Sequence, residues 1–300
     1  MVKPPYLRPG DTIAIVSTAR KISEQELQPA KDLIKEWGLH CVLGSTIGAE
    51  YHQFAGEDQL RKEDLQKMLD DPKIKAIWFA RGGYGTVRII DQIDFSFFKE
   101  NPKWIIGYSD VTVLHSHLHL LGFETIHAQM PLEIEKKSDE TIDSIRKVIF
   151  GETYKINYQS LSPKNRKGRI KGQLVGGNLS ILYSLCGSNT SLSTKGKILF
   201  IEDLDEYLYH IDRMFINLKR NNMFDDLIGL IVGGMTQMND NTIPFGKTAE
   251  EIIQELVSEY DYPVCYHFPV GHIDDNRALI MGREVELEIE DDFIQLKFHK

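Results

Sequence analysis

A buried strand that leads directly into a helix is encoded by WIIGYSDVT, residues 104–112. The first four residues are apolar and include two isoleucines, a composition typical of a strand buried on both faces. A helical pattern then covers about 111–121, so Tyr108, Ser109 and Asp110 are predicted to form a tight turn between strand and helix. Such a junction indicates an α/β fold.

The same alternation extends towards the N-terminus. Short apolar runs predict buried strands at 12–16, 39–43 and 76–80, and amphipathic patterns predict helices at 24–37 and 57–70. Strands that alternate with helices predict a parallel sheet with helices on both faces, which here forms a three-layer domain over residues 1–150. Ligands of such sheets bind at the carboxyl ends of the strands, where Ser109 and the turn RGGYG at 81–85 both lie.

The pattern changes after residue 150. Residues 151–168 are polar and lack clear periodicity, so we predict a linker there. A second, smaller mixed α/β domain is predicted over 169–300, with strands at 197–201 and 227–232 and helices at 208–220 and 247–258. Alternating apolar residues over 284–298 predict a hairpin at its end. Two domains are also what a chain of 300 residues is expected to form.

Charge and composition disfavour several function classes. The net charge is −9 and the pI is about 5.6, which disfavours binding to nucleic acid or to an anionic membrane. The sequence has no apolar run of about 18 residues and no signal-peptide core, so we expect a cytoplasmic protein. The three cysteines are widely spaced and form no CxxC pair, which is typical of reduced thiols.

The turn at Ser109 has two interpretations. A serine between a buried strand and a helix resembles a nucleophile elbow, in which the next backbone N–H, here that of Asp110, helps to stabilise an oxyanion. The common elbow is GxSxG, whereas Asp110 and Val111 follow here, so Ser109 or Asp110 would alternatively be an N-cap of the helix.

The glycine-rich turn at 81–85 also has two interpretations. It matches neither GxGxxG nor a phosphate loop, and no cofactor is therefore expected. Its glycines would let the backbone approach a ligand, and Gly83 would then supply a second oxyanion N–H. The alternative is a plain turn.

A serine nucleophile needs a base and an acid that orients the base. His272 lies in a loop after the strand at 263–266, and Glu202 ends the apolar run 198–201. Ser109 belongs to the first predicted domain and the other two to the second, so a site in the cleft between the domains is expected. The alternative for Glu202 is a solvated acidic loop, because acidic residues follow it.

His115 and His119 share one helix face, but the sequence has no HExxH motif, and no metal is predicted there.

With these residues in place, the chain resembles the LD-carboxypeptidases (muramoyltetrapeptide carboxypeptidases), a family that includes the microcin C self-immunity peptidases. The resemblance is carried by stretches in the family order over nearly the whole chain: LRPGDTI at 7–13, RGGYG at 81–85, GYSDVT at 107–112, GGNL at 176–179, LFIED at 199–203 with IDR at 211–213, and PVGH at 269–272.

This resemblance implies a triad of Ser109, His272 and Glu202 and an oxyanion hole formed by the N–H groups of Gly83 and Asp110. It implies a first domain like the class I glutamine amidotransferases and a smaller C-terminal domain of mixed sheet. It also implies a metal-independent, cytoplasmic homodimer that releases the terminal D-alanine from murein tetrapeptides during cell-wall recycling.

Such an enzyme must recognise a free carboxylate, and Arg81 beside the glycine turn is the candidate for it. Asn178 would contact the substrate or merely cap the helix that follows it. Two other functions stay open: a peptidyl-nucleotide amidase, whose branch carries an aromatic-bearing loop, and a noncatalytic small-molecule binding protein. The region from Ser109 to Glu202 has no tryptophan, which favours the murein branch.

Overall fold

The structure is a computed structural model that describes residues 1–160 and 162–299. Leu161, inside the predicted linker, and Lys300, at the end of the predicted second domain, lie outside the described residues. The strands are β1 Thr12–Val16, β2 His40–Leu43, β3 Ile74–Phe79, β4 Trp104–Gly107, β5 Thr125–His127, β6 Lys155–Tyr158, β7 Gly168–Asn178, β8 Lys197–Leu204, β9 Gly229–Thr236, β10 Val264–Cys265, β11 Leu279–Met281, β12 Glu284–Ile289 and β13 Ile294–Phe298.

Most helices lie close to their predicted positions. The helices predicted at 57–70 and 208–220 are found at Asp58–Asp70 and Leu208–Arg220. The helices are α1 Gln28–Glu36, α2 Asp58–Asp70, α3 Ser96–Glu100, α4 Thr112–Leu120, α5 Asp139–Phe150, α6 Leu179–Leu185, α7 Leu208–Arg220 and α8 Ala249–Leu256. Over residues 1–160 and 162–299, no helix combines the length and apolarity needed to cross a membrane.

The first sheet has six strands in the order β11-β5-β4-β3-β1-β2. Its five N-terminal strands are parallel; β1 to β4 were predicted from the sequence, and β5 was not. The sixth, β11, comes from residues 279–281 and pairs antiparallel with β5, so the prediction of a parallel sheet formed within 1–150 is wrong at this edge strand. Three buried residues give no periodicity, and nothing local indicates a partner about 150 residues away. The likeness to glutamine amidotransferases stays a prediction.

The second sheet has seven strands in the order β10-β9-β8-β7-β12-β13-β6. Strands β7 to β10 are parallel, and the predicted hairpin is confirmed as β12 and β13. The segment predicted as a linker contains β6, which pairs with β13 at the edge of the sheet. Only Ile156 of this four-residue strand is fully buried, and one apolar position is too weak a signal to predict a strand.

A buried ion pair ties the two sheets together. Arg283 lies between β11 of the first sheet and β12 of the second, and its Nε lies 3.1 Å from a carboxylate oxygen of Glu124, immediately before β5 of the first sheet. The two side chains are only 7% and 9% exposed. Arg283 also donates a hydrogen bond of 3.2 Å to the Tyr6 hydroxyl. Because both charges are buried, each depends on the other for compensation.

We therefore expect Arg283→Gln to lower the free energy of unfolding by about 3 kcal/mol, since Glu124 would remain as a buried, unpaired charge. Denaturant unfolding followed by circular dichroism measures this change. The control is Arg169→Gln, which breaks a pair with Glu286 at an arginine side chain that is 65% exposed. That variant should lose less than about 1 kcal/mol. Equal losses in the two variants would contradict the assignment.

Candidate active site

Ser109 occupies a strained turn between β4 and α4. Its φ is 61°, in the left-handed region that residues other than glycine rarely adopt. A single 3-10 turn, Ser109–Val111, then leads into the helix. Neither the 3-10 turn nor α4 begins with a side-chain cap, so N-capping is not the role of Ser109 or Asp110. A serine on a strained strand-to-helix turn is instead the geometry of a nucleophile elbow.

The glycine-rich turn after β3 packs directly against this serine. A Cβ atom added at Gly82 would lie 3.0 Å from both Cβ and Oγ of Ser109, closer than side chains normally approach. Gly82 therefore leaves the room that the hydroxyl needs, and the next residue, Gly83, has a φ of 117°. Sequence reasoning chose Gly83 and missed the steric role of Gly82, which only the position of Ser109 reveals.

Asp110 links the two turns. Its side chain is fully buried, and Oδ2 accepts a hydrogen bond of 2.9 Å from the backbone N–H of Thr86. Burial raises the pKa of this carboxyl, and the hydrogen bonds from Thr86 oppose that rise. This hydrogen bond joins the segment that follows β3 to the turn that follows β4.

Glu202 and His272 are joined by a short hydrogen bond. Glu202 Oε2 lies 2.6 Å from Nδ1 of His272 and also accepts from the His272 backbone N–H at 3.2 Å. The Glu202 side chain is 0% exposed and that of His272 14% exposed, so the alternative of a solvated acidic loop is wrong for Glu202. Burial acts to lower the pKa of His272, but the charge and hydrogen bond of Glu202 outweigh it and raise the pKa above its ordinary value.

Gly271 makes this approach possible. A Cβ atom there would lie 2.7 Å from Cβ and 2.8 Å from Oε2 of Glu202, and the φ of 113° is one that glycine tolerates. The absence of a side chain at Gly271 thus allows Glu202 to reach and orient the His272 ring.

Asn178 sits behind the carboxylate. Its side-chain nitrogen donates to Asp203 Oδ1 at 3.0 Å and to Glu202 Oε1 at 3.3 Å. Its side-chain oxygen accepts from the Ile181 N–H at 3.2 Å, which caps α6. Burial and the neighbouring charge of Glu202 raise the pKa of Asp203 to about 7. The capping role predicted as one alternative is confirmed, and a substrate contact of Asn178 stays a prediction.

One cleft of about 530 Å³ brings most of these side chains together. It is lined by Arg20, Arg81, Gly82, Gly83, Tyr84, Tyr108, Ser109, Met130, Leu132, Asn178, Ser180, Ile181, Asp203, Leu204, Asp205, Glu206 and His272. Within the described chain, no hydrogen bond joins the Ser109 hydroxyl to His272. A groove of about 720 Å³ around Tyr6 and Arg8 is larger, but its lining has no serine, cysteine or histidine.

Two arginines lie at the glycine turn. Arg81, predicted from the sequence, donates to the Lys21 carbonyl at 3.1 Å, while its Nε is buried with no hydrogen-bond partner among the described residues. Arg20, which sequence reasoning missed, reaches the cleft from the loop after β1. Burial, and then the charge of Arg20, lower the pKa of Arg81. The strand-end rule that selected Ser109 would also have indicated the loop of Arg20.

One histidine of α4 has a structural role. His115 bonds to the Thr125 hydroxyl and to the Gly107 carbonyl, both at 2.8 Å, and burial lowers its pKa to about 4. Among residues with described positions, no group of three or more His, Cys, Asp or Glu side chains is placed to hold a metal ion.

Comparisons with known proteins point to one family. Family models described as "LD-carboxypeptidase N-terminal domain" and "LD-carboxypeptidase C-terminal domain" match residues 13–128 and 171–287. The "Probable murein peptide carboxypeptidase" of Bacillus subtilis is 33% identical over 95% of this chain and 91% of its own length. The "Murein tetrapeptide carboxypeptidase" of Pseudomonas aeruginosa is 28% identical over 92% of each chain.

Solved structures share the fold. A muramoyltetrapeptide carboxypeptidase from Oxalobacter formigenes superposes with a TM-score of 0.87 at 24% identity and covers 96% of this chain and 99% of its own. The microcin C7 self immunity protein MccF superposes with a TM-score of 0.86 at 21% identity, over 97% of both chains. At these identities the likeness establishes the fold alone.

The raised pKa of His272 yields a direct test. In the native protein, the His272 imidazole should titrate above the ordinary value of about 6.5, because Glu202 stabilises its protonated form. Glu202→Gln removes that charge while His272 stays buried, so its pKa should fall below the ordinary value. Nuclear magnetic resonance of ¹⁵N-labelled histidine side chains measures both, with the exposed His52 as an internal control. An unchanged His272 titration in the variant would refute the coupling.

Proposed function

Because the chain belongs to the LD-carboxypeptidase family, we propose that it is a serine peptidase that releases the terminal D-alanine from murein tetrapeptides. One observation carries the proposal: a strained serine shares a cleft with a histidine that is hydrogen-bonded to a buried glutamate. These are the parts that a nucleophile, its base and the orienting acid require.

The reaction begins at Ser109. With Nδ1 of His272 occupied by Glu202, the other ring nitrogen, Nε2, takes the hydroxyl proton as Oγ attacks the scissile carbonyl. Glu202 holds the tautomer and stabilises the imidazolium that forms. The hydrogen bond between Ser109 and His272 forms in the substrate complex, as is common for catalytic contacts that are open in the free enzyme.

The N–H groups of Gly83 and Asp110 are proposed to bind the oxyanion. Asp110 lies in the first turn of a helix, where backbone N–H groups have no intrahelical partner. Gly82 keeps the space beside Oγ free of a side chain. Each such donor stabilises the transition state by about 2.7–4 kcal/mol.

His272 then returns the proton to the nitrogen of the leaving D-alanine, and the acyl-enzyme on Ser109 remains. Water attacks the ester carbonyl while His272 accepts its proton, and the transfer of that proton to Oγ restores the serine. No oxidant, metal or cofactor enters these steps. Arg81 is proposed to hold the substrate carboxylate, and Asn178 to support Glu202 and contact the peptide. On the family resemblance we further expect a cytoplasmic homodimer.

The activity is tested by incubating the protein with L-Ala-γ-D-Glu-L-Lys-D-Ala and with the matching meso-diaminopimelate peptide and following the products by mass spectrometry. We expect the loss of one alanine, unaffected by a chelator. Ser109→Ala should reduce turnover at least about 1,000-fold, because the nucleophile is removed.

Ser116→Ala is the matched control, since Ser116 lies on the adjacent helix α4 with a buried hydroxyl that has no described partner. It should keep nearly full activity. Retained turnover in Ser109→Ala would refute the assignment of Ser109 as the nucleophile. If the wild-type protein cleaves neither peptide but cleaves an aminoacyl sulfamoyl nucleoside, the peptidyl-nucleotide alternative replaces this proposal.

A further inference from the structure

We propose that Arg20 and Arg81 together form the subsite for the C-terminal carboxylate of the peptide, and that Arg20 restricts the enzyme to free C-termini. This inference rests on the proposed function of the cleft. Arg20 lies on the loop after β1, and its side chain lines the same cleft as Ser109 and the glycine turn. Its backbone is anchored, because its carbonyl accepts a hydrogen bond of 2.7 Å from the Ser17 hydroxyl.

The side chain of Arg20 lies across Gly83. A Cβ atom added at Gly83 would lie 2.7 Å from Cγ, 2.8 Å from Cδ and 2.9 Å from Nε of Arg20. Gly83 thus has no side chain at the place where the arginine passes. The guanidinium is held beside the turn that is proposed to bind the oxyanion.

This position suits the substrate chemistry. In a peptide cut at its last bond, only the amide nitrogen and one Cα atom separate the scissile carbonyl carbon from the terminal carboxylate carbon. A group that binds this carboxylate must therefore lie next to the oxyanion site, as Arg20 and Arg81 do. A guanidinium matches a carboxylate with two parallel N–H···O hydrogen bonds, which fixes the orientation of the terminal residue.

The charges favour an anion at this end of the cleft. No described carboxylate lies within ion-pair distance of Arg20 or Arg81. Glu26 and Glu133 act on the pKa of Arg81 only through their charge, and the charge of Arg20 has a larger, opposite effect. The acidic side chains of the cleft, Asp203, Asp205 and Glu206, come from the C-terminal half. A substrate carboxylate is therefore attracted to the two arginines.

The experiment compares one tetrapeptide as the free acid and as the C-terminal amide, in wild type, Arg20→Ala, Arg20→Lys and Lys21→Ala. Wild type should cleave the acid with a much higher kcat/KM than the amide. Arg20→Ala should lower kcat/KM for the acid about 10- to 100-fold, mainly through KM, and leave the amide rate unchanged, so that the preference collapses. Arg20→Lys should keep part of it, because it retains the charge without the paired donors.

Lys21→Ala is the control for a nearby positive charge, because Lys21 pairs with Glu50 at the surface and does not line the cleft. It should behave like wild type. If Arg20→Ala lowers the acid and amide rates equally, Arg20 merely supports the glycine turn and the inference is overturned. If wild type releases no alanine from the free acid, the proposed function itself fails. An active wild type with an unchanged preference in Arg20→Ala overturns this inference alone.

Discussion

The hydrogen bond between Glu202 and His272 constrains the backbone that surrounds it in the second sheet. A fully buried carboxylate is costly unless hydrogen bonds compensate its charge, and here the partners are the His272 ring, the His272 backbone N–H and the Asn178 amide. The backbone also packs closely around the Glu202 side chain. Gly271 would collide with Glu202 if it carried a side chain, and Gly233 would meet the Val270 carbonyl at 2.4 Å. The two glycines let the backbone enclose the Glu202 carboxylate closely while its hydrogen bonds to His272 and Asn178 are kept.

The proposed triad also depends on how the two halves of the chain meet, because Ser109 comes from one half and the other two residues from the other. Helix α4 and strand β7 form a direct contact, in which the Asn178 N–H donates to the Thr112 hydroxyl at 3.0 Å. A Cβ atom at Gly177 would lie 2.6 Å from that same hydroxyl. Gly177 and Asn178, in the stretch GGNL, therefore allow helix α4, which follows Ser109, to pack against the end of strand β7. At that same strand end, Asn178 also supports Glu202.

Sequence reasoning succeeded where a local pattern and a topological rule coincided. Ser109, Glu202 and His272 were selected because each was predicted at or after the carboxyl end of a strand, where ligands of parallel sheets bind. The structure places the Glu202 carboxylate against the His272 ring and Ser109 in the same cleft as His272, and their role as a triad stays a proposal. The steric roles of Gly82 and Gly271 were missed, because the atoms that leave no room for a side chain there belong to Ser109 and Glu202, which are distant in the sequence. Arg20 was missed because the loop after β1 carries no recognisable motif, although the strand-end rule applies to it as it does to Ser109. β11 and β6 were missed because short strands carry almost no periodicity.

The placement of β11 has a consequence for biosynthesis. Strand β5 has β4 on one side and β11 on the other, and β11 is encoded only at residues 279–281. While the chain is being translated, β5 remains an open edge with unpaired backbone groups until residues 279–281 have left the ribosome. The first sheet therefore gains its last strand only after residues 279–281 have been made, whereas a domain built from one continuous segment can complete its sheet in the order of synthesis.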